Sequence, residues 1–256
     1  MKIQQIRNAT LLVEYAGKRF LIDPLFAEKG AYPGFEGTAN NHLSNPLVEL
    51  PVTIEDLNDV EAVIVTHLHP DHWDEAAKRR LAKDLPIYAQ NEEDANSIQS
   101  DGFTNVKALD DKTSIGEIEL HKTPGQHGSD IAYQHIGNLL GKVCGVVFTH
   151  SSEKTLYLTG DTIWNEYVAD NLKRFDPDVV VLAAGDAQIP DLGSIIMNKN
   201  DIQTVHKAAP RATLVASHME AVNHCLLSRS ELRDFADASG FGSQIKIPQD
   251  GESVHF

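Results

Sequence analysis

Cysteine, basic charge and long apolar runs are all scarce in this chain, and each scarcity removes a class of protein. Only two cysteines, Cys144 and Cys225, occur in 256 residues. Two distant thiols cannot form the disulfide framework of a small secreted domain, so both are expected to be free. No apolar run approaches the ~18 residues of a membrane helix, so no membrane span is expected. The N-terminal MKIQQIRNATLLVEY has no continuous apolar core and no small-residue cleavage site, which points to a chain without a secretory leader and to the cytoplasm. Lysine and arginine total 22 against 37 acidic residues, for a formal net charge of -15. Such a chain repels phosphate backbones, and no basic cluster offsets the repulsion, so nucleic acid is not an expected partner. Repeats, low-complexity segments and linkers are missing as well.

What is present is enough apolar sequence for a sizeable core, at 41% hydrophobic residues. The apolar runs KIQQIRN, TLLVEYA and KRFLIDP, over residues 2–24, are separated by turn residues and predict an antiparallel meander. Residues 25–52 are irregular and rich in Gly, Pro and Asn. Loops of this length inside a compact fold are usually functional. Tyr32 and Phe35 give this one something to close over a ligand, and its apolar residues suit a lid or a homo-oligomer contact equally.

From residue 62 the pattern becomes strand and helix in alternation. Strands are expected at 62–65, 86–90 and 104–109, and helices at 74–83 and 91–100. A second mixture follows, with strands at 117–124, 131–136, 142–150, 154–161, 178–184 and 212–218, and helices at 165–175, 201–210 and 228–240. The expectation is a single domain over residues 1–256, built of two β-then-α halves packed sheet to sheet.

The segment THLHPDHWD, residues 66–74, crowds three histidines and two aspartates behind the apolar run AVIV. Pro70 disfavours a continuous helix through it. His67 and His69 project to one side if the chain is extended, and Asp71 and His72 follow where it turns toward the next helix. Imidazole and carboxylate together suit Zn, Mn or Fe. Further donors follow other strands: His127 in TPGQHGS, Asp161 in LTGDT and His218 in VASHMEAVNH. All share the loop after an apolar strand, the edge on which α/β folds build sites.

In this order the motifs H-x-H-x-D-H, TPG with a nearby His, TGD and a late SH resemble the metallo-β-lactamase superfamily. LIDP at residues 21–24 is similar to its first motif, so the likeness spans most of the chain. The resemblance implies an α/β (α+β) fold, a four-layer αβ/βα sandwich with two divalent metal ions, Zn or Mn, between the sheets. It implies one ion held by His67, His69 and His127, and a second by Asp71, His72 and His218, with Asp161 bridging. Asp23 would steady the histidine loop from behind, as metal-bound histidines generally require. His127 stands one place later than in the commoner TPGH form, and His121 and His135 are the other histidines available there. An Asp rather than a Cys at position 161 argues against the antibiotic-hydrolysing branch with a thiolate ligand. The NATLLVEY opening and MEAVNH look more similar to the branch of L-ascorbate-6-phosphate lactonase and the N-acylphosphatidylethanolamine phospholipases.

The implied activity is metal-assisted hydrolysis of a small-molecule substrate. Two divalent ions acidify a shared water, which attacks an electrophilic carbon or phosphorus. Asp71 is the candidate to orient or deprotonate that water, and His224 to protonate the leaving group. Trp73, Glu220 and Asn223 are candidates to contact substrate. An ester or lactone, with phosphorylated sugars among the candidates, is the first expectation and a phosphodiester the alternative. A redox di-iron centre is a different class, but no flavin-binding segment is visible to supply electrons.

Overall fold

The structure is a computed structural model describing residues 1–256. The first sheet opens with the expected meander, β1 (Lys2–Arg7), β2 (Thr10–Tyr15) and β3 (Lys18–Ile22). After α1 (Glu55–Asn58) it continues with β4 (Ala62–Val65), β5 (Ile87–Ala89) and β6 (Val106–Ala108), each parallel to the strand before. The crossovers carry α2 (Glu75–Arg80) and α3 (Glu92–Ser100), capped by Asp74 and Asn91.

The second sheet begins with β7 (Thr113–Ile115) and β8 (Ile118–Pro124). Then come α4 (Asp130–Leu140), β9 (Cys144–Thr149), β10 (Leu156–Leu158), α5 (Glu166–Phe175) and β11 (Val179–Ala183). A hairpin of β12 (Gln188–Ile189) and β13 (Gly193–Ser194) leads to α6 (Lys199–Ala208), β14 (Thr213–Ser217) and α7 (Arg229–Ala238). The chain ends with β15 (Ile245–Lys246) and β16 (Ser253–His255). Strand orders are β16-β1-β2-β3-β4-β5-β6 and β15-β14-β11-β10-β9-β8-β7, so β16 crosses back to seal the edge of the first sheet.

Alternation along the strands makes the layers. Leu11, Val13, Phe20 and Ile22 face Val146, Phe148, Val179 and Val181 in a core between the sheets. Their neighbours point the other way. Leu12 and Leu21 pack under α2 and α3 with Ala77 and Ile98, while Val147, Val180 and Leu182 pack under α5, α6 and α7 with Leu172, Val205 and Leu232. Each of the Val, Leu, Ile and Phe side chains among them contributes roughly 1.5–3 kcal/mol on leaving water. The result is the expected four-layer αβ/βα sandwich.

One segment departs from the sequence reading. IAYQHI, residues 131–136, is not a strand but the body of α4. Ser129 caps it by accepting from Ala132 N, and Asp130 favours the first turn. Strands β8 and β9 pair directly, with Pro124 opposite Cys144, so no sheet edge is left for the intervening residues. They fold outward as a helix, with an irregular turn at Ile136. Residues 25–52 form no regular element beyond an isolated bridge between Tyr32 and Asn45.

Strands β3, β4, β8, β10 and β14 all leave their sheets at one end of the sandwich. β3 and β4 are parallel, as are β10, β11 and β14, and β8 runs with β10 because both oppose β9. Every loop carrying a candidate ligand therefore meets at that end.

Candidate metal centre

Five imidazoles and two carboxylates converge there. The ligand atoms of His67, His69 and His127 lie within 4.8 Å of one another, as do those of His67, His72 and Asp161, and those of Asp71, His72 and His218. His67 Nε2 is 3.0 Å from His69 Nδ1, and His72 Nε2 is 3.1 Å from His218 Nε2. Asp161 Oδ2 sits 3.2 Å from His72 Nε2, 3.3 Å from His218 Nε2 and 3.8 Å from His127 Nε2. Asp71 Oδ2 is 3.3 Å from His218 Nε2.

The far side of four of these rings shows which nitrogen is taken. His72 Nδ1–H donates to Asp23 Oδ2 at 2.9 Å. Thr66 Oγ1–H donates to the same oxygen at 2.7 Å, so its lone pair accepts from His67 Nδ1–H at 3.2 Å. His127 Nδ1–H donates to Ile195 O at 2.8 Å, and His69 Nε2–H to Leu139 O at 2.9 Å. These bonds take up the outer nitrogen of each ring and turn the other nitrogen, the one that would coordinate a metal, toward the centre. Lone pairs about 3 Å apart repel unless a cation lies between them.

The electrostatics agree. Burial opposes charge on His72, but the carboxylates of Asp161, Asp71 and Asp23 outweigh it and raise the ring to about 10. Burial opposes charge on His218 as well, but Asp161, Cys225 and Asp71 together outweigh it and raise the ring well above the usual histidine range. Burial alone would raise Asp71 and Asp161, yet the facing histidines hold both well below the usual carboxylate range. His67 and His127 are instead lowered by burial, His127 to about 4, and stay neutral. Asp161 Oδ1 is buried without a hydrogen-bond partner. Nitrogen and carboxylate donors, a negative field and an open buried oxygen fit a divalent metal.

Local backbone explains the aim of two candidate ligands. His218 adopts φ +57 directly after β14. Gly160, at φ +65, turns the chain before Asp161, and a Cβ there would collide with the Cys144 carbonyl.

The other sequence candidates separate. His224 lines a cavity of about 250 Å³ floored by His69, Asp71, His127 and Asp161 and walled by Phe35, Ile136, Leu139, Ile189 and Ile195. Its ring stands perpendicular to Phe35 at 5.2 Å, and burial pushes it down to about 4, so it is neutral at pH 7 and is no store of an acidic proton. Trp73 does not face the cavity. It is buried in the first-half core with its ring 5.4 Å from Phe103, because Asp74 starts α2 and turns the preceding side chain inward. Glu220 does not reach it either, for its carboxylate accepts from Arg229 N at 2.9 Å and Nη1 at 2.6 Å. Asn223 is a clasp rather than a lining residue. Its Oδ1 accepts from Phe35 N and Asn45 Nδ2, and its Nδ2 donates to Thr38 Oγ1 and Ala39 O, which pins the 25–52 loop beside the site. His121 and His135 lie outside the cluster. Sequence reasoning missed Thr66 and the carbonyls of Leu139 and Ile195, and only the position of Thr66 directly before His67 offers any signal.

A sandwich of this kind with such a nest between its facing loops defines a metal-dependent hydrolase of metallo-β-lactamase type. Residues 18–219 match the family described as beta-lactamase superfamily domain, and the chain belongs to that superfamily. It is 51% identical to the UPF0173 protein YddR of Bacillus subtilis over the whole of both chains. The N-acyl-phosphatidylethanolamine-hydrolyzing phospholipase D 1 of Caenorhabditis elegans is 23% identical, covering 90% of this chain and 68% of that one. Among solved structures, the isothiocyanate hydrolase from Delia radicum gut bacteria superposes with a TM-score of 0.98 at 52% identity, covering 100% of this chain and 99% of that one.

Proposed function

We propose that this enzyme hydrolyses small uncharged electrophiles bearing an apolar substituent, with organic isothiocyanates as the first substrate class. The observation that carries the reading is the cavity over the metal nest. Its walls are largely apolar, and no lysine or arginine lines it. A phosphorylated sugar lactone would set its phosphate dianion away from the reacting bond, among apolar walls with no cationic side chain to meet it. A phosphodiester's charge would fall on the metal floor itself and is disfavoured only by the apolar walls. An uncharged isothiocyanate, ester or lactone needs no cationic side chain. The 52% identity with an isothiocyanate hydrolase, over nearly the whole of both chains, favours the first of these.

His67, His69 and His127 would hold one divalent ion and Asp71, His72 and His218 a second, with Asp161 available to both; zinc and manganese both suit these donors. When bound, the ions supply an acidified water and Lewis acidity toward the heteroatom of the substrate. The chain's own groups do the rest. Water oxygen bonds to the central carbon of R–N=C=S, and its first proton passes to Asp71. The C–N bond of the resulting thiocarbamate then breaks, both water hydrogens end on nitrogen, and an amine and carbonyl sulfide leave. Neutral His224 offers a hydrogen bond to the reacting heteroatoms, and Phe35, Ile136 and Leu139 hold the substituent. Free Cys144 and Cys225 suit a reducing compartment such as the cytoplasm.

The test is to load one batch with zinc or manganese and compare an arylalkyl isothiocyanate, a simple lactone and a chromogenic phosphodiester. The isothiocyanate is expected to turn over fastest, with amine released, and His67→Ala to lose metal and activity together. Faster turnover of the diester would overturn the reading.

A further inference from the structure

Asn8 lies in the turn between β1 and β2, is fully buried, and joins the two halves of the metal nest. Its side-chain Nδ2 donates to Asp71 O at 3.1 Å and Asp71 Oδ2 at 3.2 Å. Its carbonyl accepts from His218 N at 2.9 Å, from Ser217 Oγ at 3.1 Å and from Gln5 Nε2 at 2.8 Å. One residue of the first sheet thus grips an aspartate of its own half and a histidine of the other. Its φ of +54 turns carbonyl and side chain toward these two partners, and Asn is among the few residues that tolerate that region. The amide can face Asp71 in one sense alone, because the flipped orientation would set Oδ1 against a carboxylate. Oδ1 is left buried without a partner, so the hydrogen bond to Asp71 is kept at the expense of the other end of the amide.

We infer that Asn8 is a positioning residue that sets Asp71 against His218 and thereby controls the affinity of the second ion, leaving the first untouched. This rests on the two-ion assignment above. The His67, His69 and His127 group has no contact with Asn8 among its hydrogen bonds, whereas Asp71 and His218 are both held by it.

The experiment is calorimetric titration of metal-free protein with zinc or manganese alone. The unmodified protein is expected to bind two ions in separable steps; binding of one ion or none would refute the two-ion assignment itself, whatever Asn8 does. Asn8→Gly keeps the left-handed backbone and the carbonyl but deletes the donor. Its second step is expected to weaken about 10–100-fold, with the first within about twofold. An unchanged second step, or equal weakening of both, overturns the inference while leaving the two-ion assignment standing. In an Asp71→Ala background, Asn8→Gly is expected to add nothing, since its action runs through Asp71; additive losses would refute that route. Ser217→Ala, a milder cut at the other end of the same bridge, serves if Asn8→Gly fails to fold. Its second step is expected to weaken selectively, and no change there counts against the inference.

Discussion

Replacing Asp23 with asparagine tests how a carboxylate outside the ligand set governs the metal nest. Asp23 is buried with φ +44, a conformation asparagine accepts, so the backbone is spared. Its Oδ1 accepts from Thr66 N at 2.7 Å, and its Oδ2 accepts from Thr66 Oγ1 at 2.7 Å and His72 Nδ1 at 2.9 Å. An amide must put its NH2 against one of these donor sets. Placed at Oδ1 it meets a backbone N–H that cannot adjust. Placed at Oδ2 it meets His72, which can escape only by moving its proton to Nε2, the nitrogen needed for metal. A buried donor left without a partner costs about 1–3 kcal/mol. At about 2–4 °C per kcal/mol for a chain of this size, the metal-free Asp23→Asn variant should melt about 2–12 °C lower. Metal affinity should fall about 10–100-fold, which is about 1.4–2.8 kcal/mol. Thermal melting with and without metal, together with metal titration, measures both. Unaltered affinity and melting temperature would refute the view that Asp23 sets the tautomers of His72 and, through Thr66, of His67.

Four further outcomes are expected. Trp73→Ala should cost about 3–5 kcal/mol of stability through the cavity left beside Phe103, with metal affinity unchanged; a selective loss of substrate binding would return Trp73 to the site. Phe35→Ala should widen the cavity wall and shift preference toward bulkier isothiocyanates, read as relative kcat/KM, with no loss of metal. His224, held near 4 by burial, is neutral above that value, so a kcat/KM profile across the neutral range should contain no limb that His224→Gln removes. Chelation should lower the melting temperature, since an ion present at about 1,000 times its dissociation constant stabilises the fold by about 4 kcal/mol; an indifferent melting curve would argue against a resident metal.

Local chemistry made much of this protein legible. The strand runs alternate with period two, and their two faces became the central core and the helix-covered cores. The helices expected from residues 74, 91, 165 and 228 do begin there, where Asp74, Asn91, Asn165 and Ser228 cap them. The segment at 131–136 misled because its pattern is weak and its fate was decided by β8 pairing directly with β9. Trp73, Glu220 and Asn223 misled for a shared reason. Nearness in sequence to a candidate ligand says nothing about which way a side chain points, and these three point to a core, to Arg229 and to a loop clasp.

The sequence by itself determined the donor set, the order of the motifs and the strand ends that carry them, because strand, turn and cap are local properties of residues within a few positions. Tertiary structure alone decided that strands from both sheets end on one edge, that His72 and His218 face each other across 146 residues, and that Asp23 holds one imidazole directly and a second through Thr66. It also chose which residues line the cavity. These are matters of long-range packing, and sequence separation carries no record of which distant groups share a lone pair or a proton.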